Sequence, residues 1–290
     1  MTLLAKVSEG WVDMDISLQE YHNFRSFLSR SCGIEVGENK QYLVKNRLSS
    51  VLREFNLASY AELVSHLEAH TVFSNRLKSK VIDAMTTNET FWFRDDSQFL
   101  ALKNEVLPEF FLKMRGAVKI WSAACSSGQE PYSMSMCVEE MTHSYSEPLN
   151  VQIVGTDISE AILNVARTAV YSDMAINRGL DSKVNALYFQ KVEAGYQLKP
   201  EIARRVRFQQ LNLLQSFSDM GRFDIIFCRN VLIYFSDEVK REILHRLVNA
   251  LEPGGYLFLS STESIPMDMA SLVPVRGGWR VTLKRLSDTW

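Results

Sequence analysis

From Met85 onward the chain alternates short apolar, β-prone runs with helical stretches, and this alternation constrains the fold more than any other feature. The runs are VKIWSAA (Val118–Ala124), VQIVGTDI (Val151–Ile158), VRFQQLNL (Val206–Leu213), FDIIFCRN (Phe223–Asn230) and GYLFLSS (Gly255–Ser261), with WRVTLKRL (Trp279–Leu286) last. Runs apolar on both faces and separated by helices indicate a mostly parallel sheet covered on both sides. The expectation is a doubly wound α/β domain over residues 86–290. The stretch LYFQKVEAGYQLKPEIARRVRF, about 187–208, breaks the rhythm and reads as a small antiparallel β-subdomain.

Residues 1–85 carry a different texture. Leu18, Tyr21, Phe24, Phe27 and Leu28 recur at helical spacing, as do Tyr42, Leu43, Leu48, Val51, Leu52 and Phe55. Gly33 and Gly37 punctuate the link between them. Ser59 is a candidate N-cap for a third helix, with Glu62 three residues on. A fourth helix is expected over Ser74–Met85. No strand pattern intervenes, so an N-terminal all-helical domain is predicted.

Composition excludes several classes. Hydrophobic residues make up 46% and charged residues 23% of 290 positions, enough apolar surface for a real core. The formal net charge of −2 lacks the basic excess of a phosphate-gripping protein, so no nucleic-acid partner is expected. Cys32, Cys125, Cys137 and Cys228 form no CxxC pair and no zinc-ligand cluster, which predicts buried reduced thiols and no metal. The N-terminal MTLLAKVSEGWVDMD has no apolar core of a signal peptide, and no run approaches a membrane span. A cytoplasmic, monomeric protein without membrane insertion is expected.

In open α/β sheets ligands bind beyond the carboxyl ends of the strands, near the point where strand order reverses. After the first strand comes SAACSSGQEPYS (Ser122–Ser133), small residues opening through Gly128 toward a helix near Pro131. It is not G-x-G-x-x-G, and Glu130 stands where pyrophosphate would sit. The turn is either an ordinary tight βα connection or a cradle for a cationic amino-acid ligand. Asp157, ending the second strand, is either a helix cap or an acceptor for ribose hydroxyls. Asn212 and Leu213 follow the third core strand and suit an adenine ring or a simple strand end. Arg229, Asn230 and Tyr234 follow the fourth; Arg229 reads equally as a site residue or a buried ion-pair partner. Before the first strand, TTNETFWFRD (Thr86–Asp95) interleaves Asn88, Thr90 and Arg94 with Phe91, Trp92 and Phe93. The aromatics explain a seated linker; the polar residues between them do not follow from that. The five histidines lack any catalytic context.

With these residues in order, the chain resembles the chemotaxis receptor methyltransferases, the CheR family. TTNETFWFRD, WSAACSSGQEPYS, GTDIS, NLL and FCRNVLIYF fall in the family's order and spacing, and the resemblance covers nearly the whole chain. It implies a class I methyltransferase domain behind a helical N-terminal domain, with S-adenosylmethionine as cofactor and S-adenosylhomocysteine as product. By position, Asn88, Thr90 and Arg94 line the cofactor site, Glu130 faces the methionine end, and Asp157 the ribose. Asn212 and Leu213 lie on the adenine side, and Arg229 and Asn230 complete the pocket. Arg94 and Tyr234 lie near the departing methyl group and are the catalytic candidates. The implied reaction esterifies glutamate side chains of chemoreceptors. One departure stands out: QKVEAGYQLKPEIARR is shorter than the Gly-rich loop of members tethered to a receptor C-terminal pentapeptide, which implies independence from that tether.

The chemistry agrees with what is missing. A glutamate carboxylate, with an ordinary pKa of about 4.3, needs no general base at neutral pH. Positioning and desolvation then carry the reaction, with Arg94 orienting the carboxylate. Receptor helices are acidic, so Lys40, Lys45, Arg47 and Arg53 on the second helix are the candidate docking surface. Rival classes are a nicotinamide oxidoreductase, which lacks its glycine fingerprint here, a nucleic-acid methyltransferase, and a cofactor-sensing adaptor.

Overall fold

In a computed structural model, residues 15–113, 116–142, 150–266, 269 and 271–281 are described. The leader-like question posed by the first fourteen residues and the tail of the last apolar run, beyond Val281, lie outside them. The chain divides between Thr86 and Thr87 into two compact units.

The first unit contains α1 (Leu18–Cys32), α2 (Gln41–Glu54), α3 (Tyr60–Glu68) and α4 (Val72–Met85). Its helices start where the side chains supply caps. Ser17 and Glu20 form a reciprocal capping box on α1, which ends on Gly33 in the left-handed conformation. The Ser59 hydroxyl accepts the Glu62 N–H at 3.1 Å. Thr71 caps α4 by accepting from Ser74, so the helix starts at Val72, two residues before the expected start. The apolar stripes meet inside, where Tyr21, Phe24, Leu28, Leu48, Leu63 and Leu77 have no accessible surface. Of the four cations on or beside α2, Arg47 is committed to structure: it donates to the carbonyls of Met85 at 2.6 Å and Thr86 at 3.1 Å. These are orphan acceptors at the end of α4. Lys45 pairs with Asp15 at 2.8 Å, Arg53 donates to Ser49 O in its own helix, and Lys40 lies over the Tyr42 ring.

The second unit begins with α5 (Asp96–Ala101), a π-helical turn (Leu102–Val106) and α6 (Leu107–Lys113). Then follow β1 (Val118–Ala123), α7 (Gln129–Thr142), β2 (Val151–Asp157), α8 (Glu160–Thr168), β3 (Val170–Tyr171), α9 (Asp173–Ile176) and α10 (Ser182–Tyr188). The chain continues through β4 (Phe189–Val192), β5 (Gly195–Leu198), α11 (Pro200–Ala203), β6 (Val206–Gln210), β7 (Phe223–Cys228), α12 (Asp237–Asn249), β8 (Leu251–Phe258), β9 (Leu272–Val275) and β10 (Gly278–Val281). The seven-stranded sheet has the order β6-β2-β1-β7-β8-β10-β9. Its first five strands pair in parallel and the last two antiparallel, so both faces need helical cover. The central strand β7 is buried at every position, as its unbroken apolar reading requires.

Two details differ from the sequence expectation. The small sheet is β3-β5-β4, spanning residues 170–198, whereas residues 206–210 belong to the edge of the main sheet. β3 is two residues long, too short to show a period, and joins only through Val170–Gln197 and Tyr171–Tyr196 pairing. The edge strand β9, LVPV, escapes a sequence reading because its proline argues against a strand except at an edge. All four cysteines are free and buried, and burial pushes the Cys137 thiol up to about 12. Among the described residues no helix is long and apolar enough to cross a membrane.

Candidate functional site at the strand-order switch

Strand order reverses at β1. The chain winds outward from β1 to β2 and β6, then returns to β7 on the other side. β1 and β7 stay paired to their ends, and the connections that leave them diverge to opposite faces of the sheet, which opens a crevice there. Glu130 comes from the start of α7, just beyond β1, and Arg229 directly follows β7. They meet across the crevice: Arg229 Nη1 donates to Glu130 Oε2 at 2.9 Å.

The pair is held from both sides. The Ser122 hydroxyl donates to Glu130 Oε1 at 2.7 Å. Arg229 Nη2 donates to the Arg94 carbonyl at 2.6 Å and to Asp95 Oδ2 at 2.7 Å. Burial raises the Glu130 carboxyl above its ordinary value, against the pull of Arg229 and Ser122. The Arg229 side chain is 1% exposed. Of its two sequence readings, the geometry is that of a buried ion-pair partner, bonded to the Glu130 carboxylate, the Arg94 carbonyl and the Asp95 carboxylate.

The linker TTNETFWFRD is thereby fastened to the α/β unit. Trp92 is fully buried, edge-on to Tyr171 at 4.8 Å and Phe189 at 5.2 Å. The Trp92 backbone N–H donates to Arg178 O at 3.2 Å. Gly179 makes this approach possible: at φ +100°, a Cβ there would lie 2.0 Å from the Trp92 carbonyl oxygen. The Phe93 N–H donates to the Ser133 hydroxyl, fixing the linker to α7. Arg94 is half-buried, donates to Glu89 O at 3.2 Å and lies over the Phe91 ring.

A second chain of contacts joins the linker to β2. The Ser126 hydroxyl donates to Asn88 O at 3.0 Å, and the Ser126 N–H donates to Asp157 Oδ2 at 2.9 Å. Asp157 Oδ1 also accepts from the Ser159 N–H. Asp157 thus holds the turn after β1 as well as the start of α8. Asn212 and Leu213 sit one step further along the rim. Asn212 accepts from the Leu214 N–H through its side chain, and Leu213 is buried in the core cluster around Trp121. Asn230 and Tyr234 are half-buried in the turn after β7, and Thr90 is half-buried in the linker.

The backbone is unusual here. Among the described residues, Phe93, Asp95, Ala124, Ser126 and Asn230 all have positive φ without being glycine, and all lie in these loops. Each such position costs on the order of 1–3 kcal/mol and persists only where its surroundings over-determine it. One over-determining residue is invisible in the sequence reading. Glu263, beyond β8, accepts from the N–H groups of Asn230, Val231 and Leu232 at 3.1, 3.1 and 2.8 Å. It also binds the N–H and hydroxyl of Ser260. An acid in SSTES, just past the last parallel strand, is the only signal it leaves.

The carboxylates of Glu130 and Asp157 lie just beyond the adjacent strands β1 and β2, a pattern that suits a cationic group beside a ribose. The turn after β1 packs closely on its neighbours: a Cβ on Gly128 would meet Ala166, Tyr132 and Phe208 within about 3.2 Å. One on Gly155 would meet Phe208 at 2.9 Å.

Comparison with known proteins agrees with this geometry. Residues 19–86 match the family model described as CheR methyltransferase, all-alpha domain, and residues 88–278 the CheR methyltransferase, SAM binding domain. The chain is 47% identical over 250 residues to the chemotaxis protein methyltransferase Cher2 of Pseudomonas putida, covering 85% of this chain and 90% of that protein. It is 46% identical over 257 residues to chemotaxis protein methyltransferase 1 of Pseudomonas aeruginosa, with 87% and 92% covered. A chemotaxis protein methyltransferase of Vibrio parahaemolyticus is 45% identical over 252 residues, with 86% and 90% covered. The chain therefore belongs to the CheR methyltransferase family and is an enzyme that takes its methyl group from S-adenosylmethionine.

Proposed function

We propose that the acceptors are glutamate carboxylates on the cytoplasmic domains of bacterial chemoreceptors. The observation that carries the reading is the tie between the two halves of the site. Arg229 bonds Glu130 and the Arg94 carbonyl at once, so the residue expected to meet the substrate is indexed to the cofactor cradle. Within that cradle Glu130 faces the amino-acid end, Asp157 the ribose, and Asn212 with Leu213 the base. Asn88, Thr90 and Asn230 close its rim.

S-adenosylmethionine would supply a methyl group on a sulfonium; the substrate carboxylate would take that methyl as the carbon–sulfur bond breaks, and S-adenosylhomocysteine would leave as a neutral thioether. Both charges fall as the bond from carbon to oxygen forms. The chain's task is therefore orientation and exclusion of water rather than proton transfer. Arg94 orients the carboxylate through its guanidinium. A grip that strengthened the ionised ground state would slow the step, because that charge disappears in the transition state. Tyr234, in the turn after β7, shares the orienting role with a neutral hydroxyl.

The test is labelled-methyl transfer to receptor signalling domains, with and without their C-terminal tails. Base-labile label on glutamate is expected, along with a fall of about tenfold or more in turnover for Arg94→Ala at unchanged cofactor affinity. Label that resists base, or full turnover by Arg94→Ala, sinks the reading. The short β4–β5 hairpin, which turns on Glu193 and Ala194 and has Gly195 as its one glycine, supports independence from the pentapeptide tether. Removal of the tails should then leave rates unchanged, and a large drop would refute it. Lys40, Lys45 and Arg53 of the first unit are the proposed receptor-facing cations; Arg47 supports them from its tie to α4. Reversing Lys40 and Arg53 to glutamate should raise the receptor KM several-fold while sparing cofactor binding.

A further inference from the structure

We propose that Arg178 is a docking cation for acidic side chains of the protein substrate, and that Glu89 occupies it until the substrate arrives. This rests on the reading of the substrate given above. Arg178 lies in the turn after α9 and plays no part in the cofactor cradle. Its backbone is fixed, because its carbonyl accepts the Trp92 N–H at 3.2 Å and Gly179 packs against the Trp92 carbonyl. Its side chain points outward and is 49% exposed. A rigid stem with an open guanidinium is the arrangement a docking residue needs.

The surroundings carry the argument further. The Phe91 ring takes the guanidinium of Arg94 at 5.4 Å and that of Arg178 also at 5.4 Å. Two cations thus share one aromatic ring beside the candidate site. One residue, Glu89, meets both, and it brings a single negative charge. Its side chain pairs with Arg178, and its carbonyl accepts from Arg94 Nη1 at 3.2 Å. Two positive charges against one leave the patch able to accept a second anion. Arg178 also holds the Glu89 carboxyl below the usual carboxylate range, so Glu89 stays ionised and in place. The pair is nevertheless replaceable. Glu89 is 55% exposed, and in an exposed pair of this kind water competes for both partners. An incoming carboxylate exchanges for it without new desolvation of the guanidinium. The neighbouring Arg94 then meets the carboxylate to be methylated.

Steady-state methyl transfer to a receptor signalling-domain fragment tests this, alongside calorimetry with S-adenosylmethionine. Arg178→Gln should raise the KM for the fragment about threefold to tenfold, more at low salt, with the loss in KM rather than in kcat. Cofactor affinity should stay within about twofold. Arg178→Lys should keep most of the receptor affinity, which separates charge from fold. Glu89→Gln should lower the KM by about two- to fivefold, and should have no effect once Arg178 is glutamine. An unchanged KM in Arg178→Gln overturns the proposal. So does a cofactor affinity that moves as far as the KM, or a KM that rises in Glu89→Gln. If the wild-type protein labels no receptor fragment, the functional reading itself fails, and this proposal with it.

Discussion

Arg229→Leu is expected to destabilise the catalytic unit by about 3–5 kcal/mol, the cost of removing one partner from a buried ion pair. The Arg229 side chain is 1% exposed and that of Glu130 14%, so neither charge has water to fall back on. Without the guanidinium, Glu130 keeps the Ser122 hydroxyl and the weaker pull of Arg94, so burial, which already raises its carboxyl, meets less opposition. Asp95 matters less to the total, because its side chain is 38% exposed and recovers hydration. A second substitution exposes the cause. Glu130→Gln in the Arg229→Leu background removes the stranded charge and should recover part of the stability, although each change alone is harmful. Urea denaturation of the four proteins measures this. The pH dependence has a defined sign. In its proposed role Glu130 must be ionised to face the cationic end of the cofactor, and loss of Arg229 pushes its carboxyl further up. Cofactor affinity in Arg229→Leu should therefore fall as pH drops, from a higher pH than in the wild type. Equal stability of Arg229→Leu and wild type would show that the pair contributes nothing net.

The strand-end residues were legible because the fold places them by rule. Once five apolar runs imply parallel strands, whatever follows each run lies at one edge of the sheet, and Glu130, Asp157 and Arg229 are simply those residues. The helical unit was legible through its caps, since Ser17 with Glu20 and Ser59 with Glu62 announce their own helices. Illegibility came from contacts with no local signature. Whether Arg229 touches ligand or Glu130 depends on β1 and β7 being neighbours, a 99-residue separation that no periodicity encodes. β3 was missed because two residues have no period. Gly179 reads as a loop glycine until the Trp92 carbonyl is found against it. The aromatic linker was half legible: its apolar trio predicted seating, but nothing in the sequence revealed that Arg94 and Arg178 share the Phe91 ring, with Glu89 paired to Arg178.

Glu263→Gln should lower kcat by about tenfold to a hundredfold while the fold survives, because it loosens the turn after β7 that carries Asn230 and Tyr234. Glu263 binds through both carboxylate oxygens. Oε2 accepts from Asn230 N–H, Ser260 N–H and the Ser260 hydroxyl, and Oε1 from the N–H groups of Val231 and Leu232. All of these are donors, so the site demands an acceptor at every position. Glutamine matches the shape but turns one oxygen into an NH2 group that must face N–H groups. That removes at least two charge-assisted bonds and leaves backbone donors unmet, a loss of about 2–3 kcal/mol. Asn230, at φ +57°, then has less to hold it in a conformation that is costly for a residue with a side chain. Tyr234 follows by way of the Tyr234 N–H bond to Val231 O, which begins on the same turn. Glu263→Asp keeps the charge but is one methylene short, so it should reach one arm of the turn and retain an intermediate kcat. The ordering wild type, aspartate, glutamine in kcat, with cofactor affinity changing less than turnover, identifies a charge that positions the loop. If Glu263→Gln turns over and denatures like the wild type, the turn is held by its own backbone, and Glu263 merely caps what would form without it.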